Sequence, residues 1–263
     1  MSEEEIQDDE SLFHIELWRP GTLIDVGAFR GKYTMMFGNM PKSHVVAFEP
    51  LPPIYKELEY IIHKNFQGRL SHIHLYNMGL FSKPGVLKIS LPYLNGTPIH
   101  EWASVTKNFD ELRKKYPEID NIESFDIPIS TIDLFGFENV TAIKMDAEGS
   151  EYEILKGARK TLFEQRPILS VEIEERHKEG STWAIPAYLD AINYNGYFKY
   201  KQQFFEFKAF DRRIMQVASE SPGDTKYSDP YIWIFYFIPR EATDLIDKLH
   251  KLSIGGIQSA FLL

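Results

Sequence analysis

From Thr22 onward, short runs rich in β-branched residues alternate with segments of helical spacing, and this alternation narrows the possible folds more than any other feature. A chain that returns repeatedly from strand through helix to strand builds a mostly parallel sheet covered by helices. Residues 22–26 read as the first strand, 33–39 as a short helix and 45–49 as the second strand. Pro50, Pro52 and Pro53 end that strand and open a helix over 54–64, since proline suits the first helical turn. Residues 72–76 form the third strand and 140–145 the fourth. A helix over 151–165 carries Ile154, Leu155, Ala158 and Leu162 at core spacing. Residues 167–173 make the fifth strand, 184–194 a helix, 197–205 and 231–238 a final antiparallel pair, and 241–252 an amphipathic helix. The expected fold is α/β, with a seven-stranded, mostly parallel sheet and an antiparallel last strand.

Between the third and fourth strands the pattern loosens. Lys83-Pro84-Gly85 reads as a turn joining 80–81 to 86–91 in a hairpin. Residues 92–126 are polar, spotted with aromatic residues and poorly periodic, as are 209–229. Long connections of this kind tend to be lids or binding loops. Tyr93, Trp102, Tyr116 and Trp183 lie in or beside such stretches, where they stack on a flat acceptor or anchor a loop. The whole is read as one domain over 21–263, preceded by an acidic, partly mobile segment over 1–20.

Charge and composition remove several function classes. The chain has 263 residues and a formal charge of -9, but six of its 38 acids lie in the first ten residues. Without those six, 32 acids face 29 basic side chains, so no excess of Lys and Arg exists to meet a phosphate backbone, and nucleic acid is not an expected partner. No cysteine occurs, which excludes disulfides, thiolate metal sites and cysteine nucleophiles. The N-terminus lacks an apolar run of signal-peptide length and the longest apolar stretch, 231–239, is too short to span a bilayer. A cytoplasmic protein is expected.

The chemistry gathers at strand ends. Asp25-Val26-Gly27-Ala28-Phe29-Arg30-Gly31 follows the first strand, where glycine lets backbone approach a ligand and helix-terminal N–H groups meet its polar parts. A dinucleotide fingerprint needs glycines at 27, 29 and 32, yet Phe29 and Lys32 stand there. Glu49 ends the second strand about twenty residues on, where a carboxylate accepts both hydroxyls of a ribose. Asn77-Met78-Gly79 follows the third strand, with Met78 able to pack on a flat ring through its polarisable sulfur. Asp146 and Glu148 leave the fourth strand at its C-terminal edge, the edge at which open α/β sheets hold ligands. Glu172 ends the neighbouring strand, and His177 follows it. Glu151 reads as a helix-start acid.

The D-x-G-x-x-x-G turn resembles the cofactor loop of S-adenosylmethionine-dependent methyltransferases. The segment Asp146-Ala147-Glu148-Gly149-Ser150-Glu151, followed by Leu155-Lys156-Gly157-Ala158, resembles the FkbM family of methyltransferases. So do Asp25-Val26-Gly27-Ala28 with Gly31, Tyr33 and Thr34, then Phe48-Glu49-Pro50, Thr131-Ile132-Asp133 and Arg166-Pro167 with Glu172, all in order over about residues 22–175. One position departs from the pattern: the family usually has Asn where Phe29 stands. The resemblance implies a Rossmann-like class I methyltransferase using S-adenosyl-L-methionine for O-methylation of a sugar or other small hydroxyl-bearing natural product. On that reading Asp25, Gly27, Ala28, Gly31, Tyr33, Glu49, Pro50, Asn77, Met78, Gly79 and Asp146 hold the cofactor. Asp146, Glu148, Glu172 and His177 border the reacting atoms, where alignment of the acceptor hydroxyl and removal of its proton are the protein's tasks. A hard cation such as Mg2+ among these carboxylates is an alternative, not the expectation. An NAD(P)-dependent oxidoreductase and a catalytically silent cofactor-binding module are the rival classes.

Overall fold

The computed structural model describes residues 8–67, 70–107, 109–201, 203–217 and 230–260. In chain order the strands are β1 (Gly21–Val26), β2 (Ser43–Phe48), β3 (Ile73–Tyr76), β4 (Gly79–Leu80), β5 (Gly85–Leu94), β6 (Thr97–Pro98), β7 (Ile119–Ser130), β8 (Val140–Met145), β9 (Ile168–Glu172), β10 (Tyr194–Tyr200), β11 (Gln203–Glu206) and β12 (Ile234–Pro239). The α-helices are α1 (Asp9–Glu16), α2 (Lys32–Asn39), α3 (Pro52–Phe66), α4 (Phe109–Lys115), α5 (Ile132–Phe135), α6 (Glu151–Gly157), α7 (Arg159–Glu164), α8 (Ser181–Ala191), α9 (Arg212–Met215) and α10 (Thr243–Ala260).

The main sheet runs β11-β10-β12-β9-β8-β1-β2-β3. Its β9-β8-β1-β2-β3 half is parallel, and β12 inserts antiparallel between β9 and β10. The expected architecture is therefore present, with an eighth strand: residues 197–205 are not one strand but a hairpin, because the chain turns at Lys201 and β11 pairs back on β10. Strands β1, β8 and β9 are buried along almost their whole length, as a parallel sheet covered on both faces requires. One core cluster, around Ile143, Leu155, Leu169 and Phe235, fills one face; a second, around Phe13, Phe37, Leu58, Ile62 and Leu249, fills the other.

Four readings of the sequence need correction. The N-terminal segment is not a mobile tail from residue 8 on. Asp8 caps α1 by accepting from Ser11 N at 2.7 Å, Phe13 and Leu17 are fully buried against the sheet, and Glu10 is buried beside them. Residues 1–7 lie outside the described residues. The hairpin of 80–81 with 86–91 does not form, because β7 lies between β4 and β5 and pairs with both. Residues 92–126 are not irregular: β5 continues to Leu94, and the twelve-residue β7 pairs along it. Alternation is visible only toward the end of β7, because no residue over 120–126 is buried, while Ile127 and Ile129, with Ile89 and Leu91 of β5, pack a third cluster. Finally, 151–165 is two helices, breaking at Ala158. For the second expected lid, 209–217 holds α9, and 218–229 lie outside the described residues.

Candidate active site

A cavity of about 490 Å3 opens at the C-terminal ends of β1, β2 and β8. Its walls include Gly27, Ala28, Phe29, Glu49, Pro50, Met78, Gly79, Lys144, Asp146 and Glu148, with Leu87, Ile89, Ile127 and Ile129 of the small sheet opposite. Thus the insertion roofs the sheet edge. Nine residues expected to face a ligand line it, namely Gly27, Ala28, Tyr33, Glu49, Pro50, Met78, Gly79, Asp146 and Glu148, whereas Asp25, Gly31, Asn77, Glu172 and His177 do not; Asn77 has a different task. Its amide donates to the carbonyls of Glu49 and Pro50 at 2.9 and 3.2 Å, and so fixes the turn that carries Glu49.

The glycines serve the crossing of chains as much as ligand approach. Gly27 has φ +71, and a Cβ there would sit 1.7 Å from the Asp146 carbonyl oxygen, so any side chain would separate the β1 and β8 loops. Gly31 is not in the cavity wall; it lets α2 start against Leu58 of α3. Gly157 of the Leu155-Lys156-Gly157-Ala158 block lies where a Cβ would meet the Phe81 carbonyl oxygen at 2.1 Å, which brings α6 against the loop after β4. Two other motif blocks are scaffold: Asp133 accepts from the backbone N–H groups of Lys160 and Thr161, and Arg166 donates to the carbonyls of Ile192 and Asn193.

Glu49 is held ready. Its Oε2 accepts from Phe29 N and its Oε1 from Leu51 N, both at 2.9 Å, so each oxygen retains a free lone pair beside the cavity. Burial pushes its carboxyl up to about 7 in spite of those donors. Phe29 achieves this contact in the left-handed region, at φ +49, a conformation in which Asn is favoured several-fold. Here the ring packs with the third cluster and lies 4.5 Å under the Arg30 guanidinium.

Sequence reasoning missed Lys144. This lysine of β8 is buried, donates to the Gly27 carbonyl at 3.0 Å and lies 3.7 Å from both Asp25 and Asp146. Burial opposes its charge, but Asp146, Asp25, Glu10 and Glu172 outweigh burial and hold the ammonium above its ordinary range. Asp25 is fully buried; Thr34 donates to its Oδ2 at 2.6 Å, and its Oδ1 has no hydrogen-bond partner. It braces the loop through Lys144 and Thr34 rather than lining the cavity. The signal was available in Val140-Thr-Ala-Ile-Lys-Met145, where a lysine interrupts an apolar strand. Tyr33 does line the cavity and donates to Asp8 at 3.0 Å, which ties α1 to the site.

On the other side, Glu151 accepts from Ala147 N and Gly149 N at 2.8 and 3.2 Å, so this acid holds the loop upstream of its helix. Glu148 sits in that loop at φ +52 and pairs with Lys107. Ser104 and Thr106 donate to its carbonyl at 3.0 and 3.3 Å. His177 lies between two carboxylates, Nε2 3.4 Å from Glu148 and Nδ1 3.3 Å from Glu172. Burial brings the ring down to about 4, so it is neutral at pH 7. Burial and then the charges of Asp146, Glu148, Glu151 and Glu174 push the Glu172 carboxyl well above its usual range. Only Glu148 of these three lines the cavity. Of the aromatic residues, Tyr93 donates to Glu123, Trp102 packs on Tyr116, and Trp183 is exposed; none is in the cavity wall.

Comparisons with known proteins give the family. Residues 25–212 match the family model described as the methyltransferase FkbM domain. A methyltransferase of Sordaria araneosa, sdnD, is 26% identical over 188 residues, covering 64% of this chain and 71% of its own. The crystal structure of a methyltransferase FkbM from Methylobacillus flagellatus superposes with a TM-score of 0.54 at 18% identity over 89% of this chain. This chain spans about half, 49%, of the length of that one. With the family model covering most of its length and the motifs meeting at one sheet edge, the chain belongs to the FkbM family of S-adenosylmethionine-dependent methyltransferases.

Proposed function

We propose that this methyltransferase acts on oxygen, carrying the methyl group to a hydroxyl of a sugar or another small, hydroxyl-bearing natural product. The observation that carries this reading is the placement of Glu49 and Asp146–Glu148 on one cavity wall, with a histidine flanked by carboxylates behind Glu148. Glu49 is suited to the two ribose hydroxyls, since its donors fix the carboxylate and leave acceptor capacity toward the cavity. Pro50, Met78 and Gly79 supply a mostly apolar slot for adenine, under the small sheet. Gly27, Ala28 and Tyr33 are left for the amino-acid end of the donor, with Asp25 and Gly31 behind them. Asp146 and Glu148 then border the sulfonium and the incoming hydroxyl.

In the transfer the sulfonium–methyl bond breaks as the oxygen–methyl bond forms, and the acceptor proton must leave. Glu148, Glu172 and His177 form the group that takes it. Burial and like charges make the Glu172 carboxylate a stronger base than an ordinary exposed one, while the His177 ring, neutral at pH 7, lies between it and Glu148 and relays the proton. His100, Glu101 and Ser104 on the facing wall offer polar partners for further hydroxyls. No described helix is long and apolar enough to cross a membrane; a cytoplasmic setting with a small-molecule acceptor is part of the proposal.

Calorimetry with S-adenosylhomocysteine tests the donor half: one site per chain is expected, and Glu49→Gln should weaken it. Incubation with S-adenosylmethionine and a panel of hydroxylated, aminated and carbon-nucleophile acceptors tests the other half by mass spectrometry. Methylation confined to amines or carbon would overturn the proposal.

A further inference from the structure

Glu172 is a buried carboxylate in an unusual position. It ends β9, and no lysine or arginine among the described residues pairs with it. Its Oε2 is fully covered and lies 3.3 Å from His177 Nδ1, yet accepts no hydrogen bond. Asp146, Glu148, Glu151 and Glu174 add negative charge around it. The available cations are engaged elsewhere: Lys107 with Glu148, Arg176 with Glu174, and Lys144 with Asp25 and Asp146. A buried acceptor without donor or counterion costs free energy unless something else satisfies it.

We propose that Glu148, Glu172 and His177 form a binding site for one divalent cation of the Mn2+ class, at the acceptor side of the cavity. One donor atom from each residue lies within 4.8 Å of the other two. The three come from separate pieces of chain: the loop after β8, the end of β9 and the turn before α8. Metal–ligand bonds of ~2.0–2.2 Å require ligand atoms about 3 to 4.4 Å apart, so the set needs only a small closure. Glu148 supplies that movement, being the most exposed of the three, with its side chain at 24%. Two carboxylate oxygens and one imidazole nitrogen favour Mn2+ over Mg2+ or Ca2+, which prefer all-oxygen shells. The two ring nitrogens of His177 face different carboxylates, so the ion takes one nitrogen and Lys107 gives up part of its hold on Glu148. Three protein ligands leave coordination positions open, and because Glu148 borders the cavity one of them faces the acceptor. There the ion would favour the deprotonated hydroxyl, whose proton would leave to solvent through the cavity instead of passing to the three side chains that hold the metal; this last role rests on the O-methylation reading, whereas binding itself does not.

The test is Mn2+ titration of the full, chelator-treated chain by electron paramagnetic resonance and calorimetry, with S-adenosylhomocysteine binding measured on the same samples. One Mn2+ per chain is expected. Glu172→Gln and His177→Ala should each weaken it by more than the ~10 to 100-fold that follows loss of an outer partner of a metal ligand, while S-adenosylhomocysteine affinity stays within about twofold. Glu172→Gln keeps the shape of the side chain, and its fold is checked by circular dichroism. A wild-type chain that binds S-adenosylhomocysteine but not Mn2+ would show that the three groups are a hydrogen-bonded relay and overturn the metal site alone. Mn2+ binding that survives both substitutions overturns it too.

Discussion

Glu49 and Glu172 are the same residue type at equivalent places, the C-terminal ends of parallel strands in one sheet, and both are buried. Their surroundings differ. Glu49 has a backbone N–H on each oxygen, whereas Glu172 has an oxygen with no donor and four like charges nearby. On the proposed reading the first is a finished grip on a neutral ligand group, made by the protein's own backbone. The second is finished only by something brought to it, whether a proton or an ion. In the proposed function the two ends of this site divide the work: the donor side, at Glu49, is organised in advance, and the acceptor side, at Glu172, is kept under electrostatic tension.

The largest effect should come from the brace of the donor side. Lys144→Met leaves Asp25 buried without its cation, and loss of one member of a buried pair costs ~3–5 kcal/mol. A shift in the urea midpoint worth less than about 1 kcal/mol would mean that the lysine is not the brace. Next is acid sensitivity. His177 is held neutral to about pH 4 and His14, buried in α1, to about pH 3, whereas both protonate near 6.5 when unfolded. The unfolded chain then binds more protons, so the stability from each ring is complete above pH ~6.5 and lost as pH falls toward 4. For His177 this amounts to up to about 3 kcal/mol. His177→Gln should flatten the acid limb of a melting-temperature profile; an unchanged limb would place the ring in water. Glu49 and Glu151, raised to about 7, act in the opposite sense, losing stability as pH rises from 4.5 through 7.

The comparison itself is sharpened by making one substitution at both ends. Glu49→Gln sets an amide N–H against a backbone donor and should cost ~1–3 kcal/mol of stability and about tenfold or more in S-adenosylhomocysteine affinity. Glu172→Gln removes one of several crowded charges and should raise stability by about 1 kcal/mol, more at pH 8 than at pH 5. Equal signs for the two variants in denaturant melts would break the contrast.

The donor side was legible in the sequence because its parts are local. A turn with glycines at fixed spacing, an acid at a strand end and an acidic loop before a helix are each readable within a few residues. Their order along the chain places them at one edge of a parallel sheet. The small sheet was not legible, since β5 and β7 pair across a long excursion and each has a polar face. Lys144 could be suspected from its strand, but its partners could not. Helix α1 was hidden by its own acids: Asp8 and Asp9 read as a solvated tail, yet Asp9 pairs with Lys199 and Asp8 with Lys32, on elements far along the chain.

Composition, strand-helix alternation and motif spacing by themselves determined the sheet, the family and which carboxylates stand at its edge, because those depend on backbone periodicity and on contacts close in sequence. Only the tertiary structure decided which of those carboxylates is satisfied and which is left wanting, that Gly27 is there to let two loops cross, and that an inserted sheet closes the cavity. Burial, charge balance and close approach are properties of residues that meet in space, and Glu172 and His177 acquire theirs from Glu148, Lys107 and Asp146, which reach them from other parts of the chain.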